Sequence, residues 1–175
     1  MTARLSRPIS VRRIVREEPV TVEASEKERA EIAEALDLLS LDSLTAELVV
    51  RPWKSEGVRV IGTVRAALTQ ACVVTLEPVA STVEEEFDVR LHPDAAAVST
   101  PAQVEVDVEA ADPPELLEGD TVDVGAIALE HFVLGIEPYP RIEGAVFDIE
   151  DEDGAAEVDE PSPFAALAAL KDNPS

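Results

Sequence analysis

Apolar and polar residues alternate with period two over three long stretches of this chain, and that pattern predicts a sheet. Leu44, Ala46, Leu48 and Val50 alternate with Thr45, Glu47, Val49 and Arg51. Lys54-Ser55-Glu56-Gly57 then reads as a turn. Val58, Val60, Gly62, Val64, Ala66 and Leu68 form the longest alternating set, opposite Arg59, Ile61, Thr63, Arg65 and Thr69. The β-type run continues through Ala71-Cys72-Val73-Val74 until Pro78 breaks it. Val83, Glu85, Phe87, Val89 and Leu91 form a third set, with Glu85 the one polar residue on its inward face, and His92-Pro93 ends it. Residues 94–102 read as a loop, and Val104, Val106 and Val108 as a further strand. Before these strands, residues 7–16 and 19–23 read as short extended pieces around Pro8 and Pro19.

Two stretches switch to helical periodicity. Ser25 and Glu28 form a capping box, and Ile32, Leu36 and Leu39 supply the i, i+4, i+7 face behind it, with Ala33 and Ala35 adding propensity. A second helix is predicted from Val124 to Ile136, capped by Asp123. Its polar stripe is limited to Asp123, Glu130 and Glu137, so it should be largely buried against the sheet. Successive strands separated by turns favour antiparallel pairing. The expected fold is α+β: an antiparallel, strongly curved sheet or partial β-barrel with two main helices. It divides into a basic N-terminal arm (1–23), a core domain (24–145) and an acidic linker with a C-terminal amphipathic motif (146–175).

That last segment carries the most local information. The run from Asp148 to Glu160 is acidic and has too little apolar surface to offset its ordering entropy, so a flexible tether is expected. Ser162 is a natural N-cap and Pro163 suits the first helical position. Phe164, Leu167 and Leu170 recur every third residue, and Lys171 closes the last turn where the helix dipole favours a cation. A helix this short is marginal alone in water. It needs a surface, either the protein's own core or a partner.

Composition narrows the function classes. The chain has 175 residues, 46% of them hydrophobic but only 3% aromatic, so the core is aliphatic. One cysteine excludes an internal disulfide and fits a reducing cytoplasm. No apolar run approaches the roughly 20 residues that span a membrane, and no apolar core follows the first arginines, so no secretory signal is expected. Net charge is −23, yet Arg4, Arg7, Arg12, Arg13 and Arg16 occupy the first 16 residues with no acid between them. Beyond Val104 the only Lys or Arg residues are Arg141 and Lys171. The overall field repels nucleic acid. The arm suits phosphates and the acidic half suits a basic protein, unless the acid only maintains solubility.

Catalysis has little to stand on. The only histidines, His92 and His131, read as surface or boundary residues without a positioned nucleophile. Cys72 reads as a small buried hydrophobe. Asp151, Asp153, Gly154 and Glu160 match four places of an EF-hand loop, but Ile149 falls on its first ligand position and cannot coordinate calcium. No glycine pattern cradles phosphates. Trp53, beside Arg51 and Lys54, is the one candidate for stacking on RNA bases, but the cluster reads more readily as a strand-end anchor. No cofactor, metal or small-molecule substrate is expected.

Five segments in order resemble one family. They are Gly62-Thr-Val-Arg-Ala-Ala-Leu-Thr-Gln-Ala-Cys72, Cys72-Val-Val-Thr-Leu-Glu-Pro78, Gly119-Asp-Thr-Val-Asp-Val-Gly125, Pro138-Tyr-Pro140, and Pro163-Phe-Ala-Ala-Leu-Ala-Ala-Leu-Lys171. The order resembles the YceD family of large ribosomal RNA subunit accumulation proteins, over about Leu44 to Lys171. Many members carry Cys-x-x-Cys-Leu where this chain reads Cys72-Val-Val-Thr75-Leu76, so a zinc site built on two such cysteines is not expected here. The resemblance implies a non-enzymatic cytoplasmic role in large-subunit rRNA accumulation or processing. The implied partner is an rRNA precursor or a basic ribosomal protein. Pro163, Phe164, Leu167, Leu170 and Lys171 are the expected partner-binding residues. Arg4, Arg7, Arg12, Arg13 and Arg16 are the expected phosphate contacts. A protein-only adaptor or chaperone for a basic ribosomal protein is the alternative.

Overall fold

The computed structural model describes residues 4–95 and 113–145. Strand β1 (Pro8–Ser10) leads into one 3-10 turn (Val11–Arg13), then β2 (Glu18–Glu23) and helix α1 (Glu26–Ala35). Three long strands follow: β3 (Ser40–Trp53), β4 (Gly57–Ala71) and β5 (Pro78–His92). After the undescribed residues 96–112 come β6 (Glu115–Leu116), β7 (Thr121–Asp123) and helix α2 (Val124–Gly135). The expected strand at Val104–Val108, the acidic run and the C-terminal motif lie outside the described residues.

The main sheet has the order β2-β3-β4-β5-β6 and is open, since β2 and β6 are its two edges rather than partners. The molecule is therefore α+β but not a closed barrel. β2 to β5 are antiparallel neighbours, as the turns imply, whereas the two residues of β6 run parallel to the end of β5. A separate two-stranded sheet pairs β1 with β7 in antiparallel fashion, joining Ile9 to Val122 across the sequence.

Period two is kept on every long strand. Leu44, Ala46, Leu48 and Val50 on β3, Val58, Val60, Val64, Ala66 and Leu68 on β4, and Val83, Phe87, Val89 and Leu91 on β5 are buried. Gly62 sits in this inward row because a side chain there would collide with Leu48 and the Glu47 carbonyl. Its cross-strand partner is Phe87, whose ring stacks on His131 at 4.6 Å. Helices α1 and α2 cover this face, with Ile32, Ile127, Ala128 and Phe132 buried against it. Leu5, Ile14 and Val22 join the same core, so the N-terminal segment contributes to it from its first described turn.

Four local expectations are corrected. Helix α1 ends at Ala35, and Asp37 takes a left-handed φ of 55°. The chain therefore leaves the helix before Leu39, which is exposed, and Leu38 packs on the core instead. β4 stops at Ala71, so Cys72 opens a turn rather than extending the strand, and Pro78 begins β5 rather than only breaking a run. His92 is 4% exposed and thus neither a surface nor a boundary residue. Helix α2 is capped by Asp123 as expected, but Val133 and Leu134 face outward beside Glu130.

Candidate functional site

The arginine segment is held in place by a few strong contacts. Asp123 accepts hydrogen bonds from the Ser6 hydroxyl at 2.6 Å, the Arg7 N–H at 2.7 Å, and the Gly125 and Ala126 N–H groups at the start of α2. Burial pushes its carboxyl up, but these four donors outweigh burial and hold it below the usual carboxylate range. A Cβ on Gly125 would lie 2.8 Å from both the Leu5 carbonyl oxygen and the Arg7 nitrogen, so glycine is what allows the segment to cross α2 this closely.

Arg7 is drawn into the fold. Its guanidinium donates to both Glu28 oxygens and to the Ser6 and Glu23 carbonyls. Glu28 also accepts from the Ser25 N–H and completes the capping box of α1. The Arg7 hydrogen bond is the largest of the effects that hold the Glu28 carboxyl down to about 2. Arg4, Arg12, Arg13 and Arg16 are exposed. Arg12 pairs with Asp120 at 2.8 Å with both side chains largely in solvent, a pairing worth little. Arg4 borders an open groove of about 440 Å³ whose apolar wall includes Leu5, Leu129, Val133 and Leu134.

Cys72 opens a closed loop. Its N–H donates to the Glu77 carbonyl and its carbonyl accepts from Leu76, which takes a left-handed φ of 61°. The Thr75 hydroxyl is the strongest of several donors around the thiol, with the N–H groups of Ile142, Thr75 and Val74 beside it. Together they lower the thiol to about 7. The Val73 N–H donates to the Pro140 carbonyl, so this loop and the Pro138-Tyr139-Pro140 segment meet in space. The side chain is buried, as expected of a structural cysteine.

The sheet face opposite α1 and α2 carries charge in register. Arg51 on β3 stands opposite Arg59 on β4, which stands opposite Arg90 on β5. Asp88 accepts a bidentate hydrogen bond from Arg59 and a further one from Arg90 at 3.3 Å, while Glu17 lies 3.9 Å from Arg51. Three rows along, Arg65 bridges Glu47 and Glu84. At the opposite end Trp53 meets the His92 ring edge-on at 6.1 Å across Gly57, and Lys54 lies 4.7 Å from the Trp53 centroid. A Cβ on Gly57 would sit 2.9 Å from His92. Sequence reasoning identified Trp53, Arg51 and Lys54, but Arg59 and Arg90 join them only through strand register.

The sequence-predicted residues thus fall into three groups. Arg7 is engaged within the fold, Arg4, Arg12, Arg13 and Arg16 are exposed, and Pro163, Phe164, Leu167, Leu170 and Lys171 lie outside the described residues. No group of three or more His, Cys, Asp and Glu side chains among the described residues is arranged to hold a metal ion. No helix among them is long and apolar enough to cross a membrane.

A family model described as large ribosomal RNA subunit accumulation protein YceD matches residues 60–171, more than half of the chain. No curated protein and no solved structure matches it significantly. The match takes in most of β4, the Cys72 loop, β5, β7 and α2, and its residues include all five quoted motifs. On this match the chain belongs to the YceD family of large ribosomal RNA subunit accumulation proteins.

Proposed function

We propose that this protein is a non-enzymatic, cytoplasmic factor that supports accumulation of large-subunit ribosomal RNA by engaging its precursor. The family match carries this reading. The exposed Arg4, Arg12, Arg13 and Arg16 are the phosphate contacts of the arm, whereas Arg7 positions that segment through Glu28. Phe164, Leu167 and Leu170 present an apolar stripe to a protein groove in the helix-in-groove manner, flanked by Pro163 and Lys171. The acid-rich sequence before them attracts a basic partner, and ribosomal proteins are basic. That charge balance also favours a second reading: a protein-only adaptor for a basic ribosomal protein, with no RNA contact.

Sucrose-gradient profiles of cells expressing a tagged form separate the two readings. Migration with large-subunit precursors, with release by nuclease, supports RNA engagement. A small complex at the top of the gradient, unchanged by nuclease, supports the adaptor and overturns the RNA reading.

A further inference from the structure

We propose that the sheet face opposite α1 and α2, at the β3–β4 hairpin end, binds the backbone of single-stranded RNA through Arg51, Arg59 and Arg90, with Trp53 in the next row. The inference rests on the RNA reading above and assigns it a surface.

Three arginines directly opposite one another across three strands are destabilising in themselves, because cross-strand neighbours lie only about 5 Å apart and like charges repel at that range. Asp88 relieves part of this by holding Arg59 and Arg90, but one carboxylate serves two cations. Arg51 has Glu17 at 3.9 Å, a loose contact. A polyanion laid across the strands would meet all three guanidiniums in turn. Guanidiniums match phosphate oxygens bidentately, which a point charge cannot.

Two further observations favour RNA over an acidic protein segment. Trp53 stands on the same face one row beyond Arg51, with the Lys54 ammonium over its ring at 4.7 Å, and aromatic rings are what unpaired bases stack on. The arm arrives at this same end. β2 begins with Glu18 opposite Val50, and Glu17 contacts Arg51, so the arm that ends at Arg16 enters the sheet next to the arginine row. In a chain of net charge −23, phosphate binding requires such local concentration of cations, because the overall field opposes it.

The test uses the full chain and a fluorescein-labelled single-stranded RNA from the large-subunit precursor, followed by anisotropy over a series of salt concentrations. The variants are Arg51→Gln/Arg59→Gln/Arg90→Gln and, separately, Asp88→Asn. Loss of three phosphate contacts lowers the slope of log K against log salt by about 2, at roughly 0.7 per contact on a single strand. Asp88→Asn releases Arg59 and Arg90 and tightens binding severalfold. Wild-type and triple-variant slopes that coincide, with both proteins folded, overturn the assignment while the RNA reading stands. Wild type that binds no RNA overturns both. Should the triple variant fail to fold, unchanged affinity in Asp88→Asn overturns the assignment alone. Poly-glutamate that displaces the RNA as well as unlabelled RNA does would give the surface to an acidic protein instead and overturn it too.

Discussion

Gly125 and Thr75 show how single residues of the family motifs act through packing. Gly125→Ala forces a methyl group against two backbone atoms that a rotamer change cannot move. Overpacking of this kind costs about 1–3 kcal/mol, and the urea midpoint should fall accordingly, whereas an unchanged midpoint would show that the segment crossing α2 yields freely. Thr75 supplies the strongest donor to the Cys72 thiol, which is lowered to about 7 from an ordinary value of about 8.5. A folded-state value below the unfolded one means the unfolded chain holds more protons between these pH values, so stability rises as pH climbs from about 7 to about 8.5. Thr75→Val should flatten that rise, read as the difference in urea midpoint between pH 7 and pH 9. An equally steep rise in the variant and in Cys72→Ala would assign it to other groups. The pairing was half-legible in sequence: the missing second cysteine pointed to a structural loop, but the hydroxyl's contact with the thiol needed the left-handed turn at Leu76 to be seen.

At the scale of elements, β3, β4 and β5 were readable because burial on one face of a strand writes itself as alternation, and a fifteen-residue strand repeats the message many times. The capping box of α1 was readable for the same local reason. What sequence could not give was pairing at a distance. The β1–β7 sheet joins residues more than a hundred positions apart, and β6 is two residues long with no period to detect. On α2 the count of polar residues suggested a largely buried helix, yet Val133 and Leu134 face out, since periodicity reports which residues share a face but not how wide the covering is. The Arg51–Arg59–Arg90 row needed register, which alternation alone leaves open. The start of α1 yields its own prediction. Glu28 serves both the cap and Arg7, and its carboxyl is held down to about 2, below an unfolded value near about 4.3. Its contribution is complete above about pH 4.3 and disappears as pH falls through about 2. Glu28→Gln should therefore lower stability by about 1 kcal/mol at neutral pH, the usual cost of a lost cap contact, and narrow the gap to wild type below pH 3. A gap that stays constant from pH 7 to pH 2 would mean the charge of Glu28 contributes nothing.

For the whole molecule the governing quantity is charge, and salt should move the fold and the proposed RNA binding in opposite directions. The chain carries 37 Asp and Glu against 14 Lys and Arg, and acids outnumber bases within the described residues too. Such an excess destabilises the compact state through self-repulsion. At 0.15 M salt the screening length is about 8 Å, short enough to remove most of that repulsion between surface charges. Salt also weakens the exposed pairs, such as Arg65 with Glu47 and Glu84, but each is worth at most about 1 kcal/mol and the unpaired acids are far more numerous. The melting temperature should therefore rise between low and physiological potassium chloride, measured by circular dichroism in dilute buffer. Contacts between phosphates and arginines on the arm or the sheet face lose counterion release over the same range, so RNA affinity should fall while the fold becomes more stable. A protein whose melting point drops with salt would place the paired charges, rather than the excess acid, in control of its stability. Loss of RNA binding at higher salt could then be partial unfolding, whereas a rising melting point assigns it to the loss of phosphate contacts.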